Sequence, residues 1–299
     1  MTRILSLLVL VIGATSMPAQ DPQSLAGRRV VFLGDSITQA GGYIGYLTHH
    51  LETNYPKLDF DFLGLGLASE TLSGLSEDGH AGGKFPRPCL FERLDRVLEK
   101  AKPEVVVACY GMNDGIYLPL GKERFGKFQS GVEKLIKQSQ AAGVKRIVLV
   151  TPPIYDFAAK PGEFNYDSVL AEYAKWERSL KVPGVEVIDL HTPMRAARDA
   201  RKEPFSKDKV HPGDDGQFFI AGVILKAFGE SLPADSLKAV REAPIFKLVE
   251  EKRRLRSAAW MKHIGYTREA TFPPQPLGSA ENDAAKIQAR IDALRRMKD

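Results

Sequence analysis

Cysteine is scarce in this chain, which has only Cys89 and Cys109 among its 299 residues. So few cysteines exclude a disulfide-rich scaffold. With 43% hydrophobic residues, a chain of this length buries a core that needs neither disulfides nor a structural metal. Cys109 lies within an apolar run of strand length, so we expect a buried free thiol there.

The sequence also lacks the common cofactor motifs. It contains no HExxH, no paired CxxC, no Walker-type loop and no dinucleotide fingerprint. We therefore expect no metal and no organic cofactor. His49 and His50 are adjacent on a predicted helix, where neighbouring side chains diverge and do not readily share a metal ion.

Long apolar runs are absent apart from Ile4–Ile12, which is too short to span a bilayer. Arg3 precedes this run, and small and polar residues follow it. Together they predict a signal peptide over residues 1–19, with cleavage after Ser16 or Ala19. We expect a secreted or periplasmic protein without stable membrane insertion.

The net charge of +5 is concentrated at one end of the chain. Lys238–Asp299 contains 14 Lys and Arg against 8 Asp and Glu. A positively charged segment of this kind can attract anionic partners such as glycans, lipids or nucleic acid. A solvated helical face accounts for the same charge, and we expect no nucleic-acid partner.

Short apolar runs alternate along the chain with amphipathic segments of helical length. The predicted strands are Arg28–Leu33, Asp59–Leu63, Glu104–Tyr110, Lys145–Val150 and Val185–Leu190. The predicted helices are Tyr43–Glu52, Leu90–Ala101, Arg124–Ala142, Asp167–Leu180 and Asp215–Gly229. This alternation predicts an α/β fold, in which a five-stranded parallel sheet lies between two layers of helices.

A proline-bounded stretch, Pro233–Pro244, marks a predicted boundary. We place a catalytic domain at residues 26–232 and a helical C-terminal extension at residues 238–299. The last predicted helix has an apolar stripe at helical spacing, which we expect to pack on the catalytic domain. The stripe consists of Ile287, Ile291 and Leu294.

Polar clusters follow the predicted strands, where ligands bind in open α/β sheets. These clusters are Gly34-Asp35-Ser36, the segment from Gly66 to Thr71, Gly111-Met112-Asn113-Asp114 and Asp208-Lys209-Val210-His211. Each has a structural explanation on its own, such as a helix cap for Ser36, a turn for Asn113 or a surface carboxylate for Asp208. Their joint order favours a catalytic site.

In this order the four clusters resemble those of the SGNH, or GDSL-type, hydrolases. The resemblance covers roughly Arg28 to Gly229. It implies a flavodoxin-like three-layer fold and hydrolysis of O-acyl esters, often acetyl esters on glycans or lipids. It also implies that Ser36 is the nucleophile, His211 the general base and Asp208 the residue that orients the imidazole.

The same resemblance implies an oxyanion hole formed by the Ser36 N–H, a backbone N–H at Ser69 and the Asn113 side-chain amide. Ser69 departs from the family pattern, which has glycine there, and the departure puts a positive φ at this position in question. Gly66 is the alternative donor position. Asp35 and Asp114 are expected to support loop geometry rather than chemistry.

We therefore predict an exported serine esterase that acts on small-molecule or glycan O-acyl esters, with acetyl as the favoured group. The alternatives are a lysophospholipase or thioesterase of the same fold, an acyltransferase, and a non-catalytic glycan-binding module. A Gly-rich insertion, Ser73–Pro88, is expected to rim the pocket. His80, Arg87 and Tyr117 are either substrate contacts or solvated loop residues.

Overall fold

A single parallel sheet positions the predicted site. Its strands are β1 (Arg29–Gly34), β2 (Asp61–Gly64), β3 (Val105–Cys109), β4 (Arg146–Val150) and β5 (Val185–Ile188). They lie side by side in the order β2-β1-β3-β4-β5. The direction of winding changes between β1 and β3, so a crevice opens at their carboxyl ends. The computed structural model describes residues 21–296, and the predicted signal peptide lies outside them.

Helices cover both faces of this sheet, as the three-layer prediction requires. In the catalytic region they are α1 (Ser36–Ala40), α2 (Gly42–Asn54), α3 (Leu94–Ala101), α4 (Lys122–Ala141), α5 (Asp167–Ser179), α6 (His191–Asp199) and α7 (Asp214–Ala227). Further along the chain lie α8 (Leu237–Glu242), α9 (Pro244–Ile264) and α10 (Ala280–Arg296), with a small hairpin of β6 (Tyr266–Thr267) and β7 (Thr271–Phe272) between the last two.

The five predicted strands are confirmed, with ends that differ by no more than two residues from the apolar runs. The predicted helix Leu90–Ala101 is wrong in one respect, because it is interrupted at Arg93, whose φ is −123°. This break lets the Arg93 side chain enter the interior, where it is 1% exposed. Helix α6 was not predicted, since it buries only His191 and Met194 and therefore has no apolar stripe.

The C-terminal region begins with α8, a short helix inside the predicted Pro233–Pro244 boundary. Helix α9 packs on α2 and β2. There Arg256 donates from Nη1 to the Phe62 carbonyl at 3.1 Å and from Nη2 to the Asp61 carboxylate at 2.6 Å. These contacts fix the extension against the outer strand of the sheet.

The apolar stripe of α10 packs on α9, not on the catalytic domain as predicted. Ile287 and Ile291 form a buried cluster with residues of α9, namely Ile245, Leu248 and Val249. The prediction is wrong because α9 occupies the space over β2 and α2, so α10 forms an outer layer on α9.

Two further findings concern the cysteines and the hydrophobicity of the helices. Cys109 is buried in β3, and Cys89 and Cys109 are both free thiols. Among residues 21–296, no helix combines the length and the hydrophobicity needed to span a bilayer.

Replacing Ile291 tests the packing of α10. Its side chain is fully buried against α9, so Ile291→Ala should lower the free energy of unfolding by about 2–5 kcal/mol in urea denaturation. The exposed neighbour Arg290 supplies the control, and Arg290→Ala should change that free energy little. Equal stability of both variants would mean that α10 is not packed in this way.

Candidate active site

Ser36 is the first residue of α1, directly beyond the carboxyl end of β1. The preceding residue, Asp35, is the N-cap, and its carboxylate accepts a hydrogen bond from the Ile37 N–H at 2.9 Å. Gly34 has no room for a side chain, because a Cβ there would lie 2.2 Å from Thr38 Oγ1 and 2.7 Å from the Cys109 carbonyl oxygen. The Gly-Asp-Ser sequence thus combines a close approach, a helix cap and a partly exposed hydroxyl.

A hydrogen-bonded chain links Ser36 to His211 and Asp208. Ser36 Oγ lies 2.8 Å from His211 Nε2, and His211 Nδ1 lies 2.6 Å from Asp208 Oδ2. An ionised carboxylate can only accept, so Nδ1 carries the ring proton. In a neutral imidazole Nε2 is then the acceptor, and the Ser36 hydroxyl donates to it. This arrangement can remove a proton from the hydroxyl as it attacks a carbonyl carbon.

The Asp208 carboxylate also fixes the loop that carries the histidine. Its Oδ1 accepts from the backbone N–H groups of Val210 at 3.0 Å and of His211 at 2.8 Å. Lys209 has a φ of +75°, which the tight turn requires. Partial desolvation raises the pKa of Asp208, but the hydrogen bonds from His211 and Val210 outweigh it and leave the pKa below its usual 3.8. The residue is therefore ionised at neutral pH.

The second polar cluster continues beside α1 after β2 ends. The Leu67 N–H donates to the Gly34 carbonyl at 3.0 Å, which extends the β1–β2 pairing beyond the strands. A Cβ at Gly66 would lie 2.2 Å from the Gln39 backbone nitrogen. The chain therefore passes directly over α1, and the Ala68 N–H donates to Gln39 Oε1 of that helix at 2.6 Å.

Ser69 adopts the left-handed conformation that its sequence left in question, with a φ of +68°. Left-handed geometry costs an L-residue about 1–2 kcal/mol. Across the described residues, 21–296, no hydrogen bond uses the N–H of Ser69 or that of Ser36. Both N–H groups are thus available to a bound oxygen atom.

Asn113 follows β3, the strand that pairs with β1, and its amide is held by three contacts. Its Oδ1 accepts from Arg87 Nη1 at 2.8 Å and from the Tyr117 hydroxyl at 3.2 Å. Its Nδ2 donates to the Glu70 carbonyl at 3.2 Å. Since Oδ1 is occupied by two donors, the amide orientation is fixed and Nδ2 keeps a second proton for another acceptor.

Of the two alternatives for Arg87, a solvated loop residue is wrong. Its side chain is 6% exposed and forms a double contact with Glu77, at 2.6 and 2.7 Å. The guanidinium also lies over the Tyr117 ring, 5.3 Å from its centroid. His80 lies within this insertion, with Nδ1 3.3 Å from Glu77. Arg87, Glu77 and His80 thus form a packed wall behind Asn113.

A buried ion pair connects the second cluster to the third. Arg93 donates to both oxygens of Glu70, at 2.6 and 2.7 Å, and to the Leu65 carbonyl at 2.7 Å. The Tyr110 hydroxyl donates to Glu70 at 2.6 Å. Glu70 is completely buried, and these hydrogen bonds compensate for the cost of removing its carboxylate from water.

Asp114 performs a similar cross-linking function. Its Oδ1 accepts from the N–H groups of Leu72 and Ser73, each at 2.7 Å, and its Oδ2 accepts from the Gly111 N–H at 3.0 Å. Desolvation raises the pKa of Asp114 to about 6 although these hydrogen bonds oppose the rise. As expected, Asp114 supports loop geometry.

Among residues 21–296, no group of three or more His, Cys, Asp or Glu side chains is arranged to bind a metal ion. The groups described above can transfer protons and donate hydrogen bonds.

A family model covers the region that contains these residues. The model of the GDSL-like lipase/acylhydrolase family matches residues 32–217, well over half of the chain. The chain belongs to this family. It is accordingly a hydrolase that acts on carboxylic ester bonds.

Individual relatives are more distant. An acetylxylan esterase from Geobacillus stearothermophilus is 23% identical over 230 residues, which cover 68% of this chain and 95% of the relative. A crystal structure of a catalytic mutant of an acetylxylan esterase from the same organism has a TM-score of 0.50 at 22% identity, over 69% of this chain and 96% of that one.

A gut microbial diltiazem-metabolizing enzyme has a TM-score of 0.57 at 21% identity. The matched region covers 71% of this chain but only 48% of that enzyme. At such identities the likeness of these structures establishes the shared fold alone.

The Asp35 carboxyl has a higher pKa than the Asp114 carboxyl of the same site. Burial raises its pKa from 3.8 to about 7, and the nearby charge of Asp114 adds to the rise, whereas the Ile37 N–H and His211 oppose it. The folded state therefore holds this proton more tightly than the unfolded chain does. The stability that comes from the proton is complete below pH 3.8 and is lost as the pH rises to about 7.

Asp35→Asn should keep the helix cap and remove this titration. The free energy of unfolding of the variant, relative to wild type, should rise between pH 4 and 7 by up to about 4 kcal/mol and stay level above pH 7. Urea denaturation over this range measures the difference. The exposed Asp235 provides the control substitution Asp235→Asn. A difference that did not change with pH would contradict the buried, protonated Asp35.

Proposed function

We propose that the protein is an exported serine esterase that removes short acyl groups, chiefly acetyl, from carbohydrate esters. The observation that carries the proposal is the pair of short contacts from Ser36 Oγ to His211 Nε2 and from His211 Nδ1 to Asp208, at 2.8 and 2.6 Å. Export rests on the sequence of residues 1–19.

In the first half of the reaction, Ser36 Oγ attacks the ester carbonyl carbon while its proton moves to His211 Nε2. Asp208 stabilises the imidazolium that forms. The negative charge on the carbonyl oxygen is bound by the N–H groups of Ser36 and Ser69 and by Asn113 Nδ2. The intermediate then collapses, the C–O bond to the alcohol breaks, and His211 returns the proton to the leaving oxygen.

The second half repeats these steps with water. His211 takes a proton from the water molecule that attacks the acyl-serine carbonyl, and the same donors bind the developing charge. Collapse releases the carboxylic acid and restores the Ser36 hydroxyl. His211 has 52% of its side chain exposed, so water reaches this base directly.

The surroundings of Ser36 support a short acyl group and a polar alcohol. The wall behind Asn113 consists of the charged pair Arg87–Glu77 and the Tyr117 phenol. An apolar groove of about 840 Å³ lies elsewhere, along α7 and the segment after it, and is lined by Phe218, Phe219 and Leu237 among others. The residues that line this groove do not include Ser36, His211 or Asp208. The distant acetylxylan esterase relative also favours an acetylated carbohydrate.

A series of p-nitrophenyl esters from acetate to laurate tests the chemistry. Wild type should prefer acetate over octanoate, and Ser36→Ala should lower kcat by at least about 10³-fold. Ser179→Ala is the matched control, since this exposed serine ends α5 at the opposite edge of the sheet. Its kcat should equal that of wild type.

The remaining outcomes separate the alternatives. A preference for octanoate or laurate would favour a lysophospholipase or thioesterase, and acyl transfer to an added sugar would favour a transferase. Equal rates for wild type and Ser36→Ala would refute serine catalysis and favour a binding module. Release of acetate from acetylated xylan by wild type would support a carbohydrate substrate, and no release would count against it.

A further inference from the structure

The β6–β7 hairpin of the C-terminal extension reaches the loop that carries Ser69. Arg268 lies in its turn and donates from Nε to the Ala68 carbonyl oxygen at 3.2 Å. Its guanidinium lies over the Phe85 ring, 4.8 Å from the centroid, and pairs with Glu269 at 2.6 Å. The side chain is 27% exposed. Arg268, some 200 positions away in sequence, is thus hydrogen-bonded to the loop that carries Ser69.

The Ala68 carbonyl and the Ser69 N–H are the two ends of one planar peptide group. No peptide bond in the described residues is cis, so this carbonyl and this N–H point in opposite directions. A donor that holds the carbonyl therefore also sets the direction of the Ser69 N–H. The Ala68 N–H is held in turn by Gln39 Oε1, at 2.6 Å.

The turn at this peptide has two conformations of similar shape. The Glu70 N–H donates to the Leu67 carbonyl at 3.1 Å, so residues 67–70 form a β-turn. With φ at +68° for Ser69 and no positive φ for Ala68, the turn is of type II. Rotation of the central peptide by about 180° would give a type I turn, in which Ser69 has an ordinary negative φ.

The intrinsic preference at this turn opposes the conformation that is observed. For an L-residue other than glycine, left-handed strain favours the rotated peptide by roughly tenfold. That rotation would reverse both ends of the peptide, so the Ala68 carbonyl oxygen would take the direction in which the Ser69 N–H now points. An oxygen in this place would repel the charge that the N–H is meant to bind.

We propose that Arg268 is a positioning residue that holds the Ala68–Ser69 peptide in its strained orientation and so keeps the Ser69 N–H directed at the substrate oxygen. The charged guanidinium is a stronger donor than a neutral group, and a bond to the carbonyl polarises the same peptide and strengthens its N–H as a donor. The inference rests on the proposed function. It gives the C-terminal extension a part in catalysis without contact with the substrate.

Arg268→Met tests the proposal, since it keeps a stem to pack on Phe85 and removes the donor. With p-nitrophenyl acetate, kcat should fall roughly tenfold and KM should change less than about twofold, a smaller loss than the 10²–10³ of a deleted donor. Arg254→Met is the matched control, because Arg254 lies on α9 with 75% of its side chain exposed. It should leave kcat unchanged.

The same substitution in a Ser69→Gly background separates positioning from general damage. Glycine adopts the type II turn without strain, so Arg268→Met should there lower kcat by no more than about threefold. A tenfold loss in both backgrounds, or no loss in the Ser69 background, would overturn the proposal. The proposal would also be overturned if Arg268→Met lowered the midpoint of thermal unfolding far enough for unfolded protein to account for the loss of kcat. Failure of the proposed function would look different, since wild type and Ser36→Ala would then be equally inactive.

Discussion

The buried ion pair between Glu70 and Arg93 is the interaction on which the site depends. Arg93 reaches Glu70 only because the helix before β3 is interrupted at this residue. The pair fixes Ser69, which precedes Glu70, and the Glu70 carbonyl accepts from the Asn113 amide. Removing one member of such a pair leaves an uncompensated buried charge, which costs about 3–5 kcal/mol. Desolvation lowers the pKa of Arg93, but Glu70 outweighs it and raises the pKa above its usual value, so the guanidinium stays charged.

This ion pair also connects the site to the C-terminal extension. Arg93 Nη1 lies 3.7 Å from the Met261 sulfur on α9, and Arg253 of the same helix donates to the carbonyl of Ala40, the last residue of α1. Together with Arg268, these contacts place the basic residues of the extension against the second polar cluster and α1. Much of the positive charge that stands out in the sequence therefore has internal carboxylate and carbonyl partners, as Arg256 has in Asp61 and Phe62.

The sheet was accessible from sequence because it depends on local signals, whereas the roles of Ser36, His211 and Asp208 were predicted from the family resemblance. Apolar runs predict buried parallel strands, and polar residues just after those runs meet at one edge. The contacts of Arg87 and Arg268 were not accessible, since each is an arginine in a polar loop whose partner is set by the tertiary fold. The packing of α10 on α9 was missed for a related reason: an apolar stripe shows that a helix has a buried face but not which surface covers it. Ser69 shows the limit most clearly, because a serine at a φ of +68° is held there by Arg268 and Glu70 rather than by its own preference.

The most direct test of the account is covalent labelling of the nucleophile with a short-chain p-nitrophenyl alkylphosphonate. Such a reagent transfers its phosphonyl group to a serine oxygen that an adjacent base has activated. We expect one equivalent of adduct, located by peptide mass spectrometry on Ser36, with loss of esterase activity in parallel. The Ser36→Ala protein should form no adduct. Complete inactivation of wild type with the adduct on another residue would contradict the assignment of Ser36 as the nucleophile.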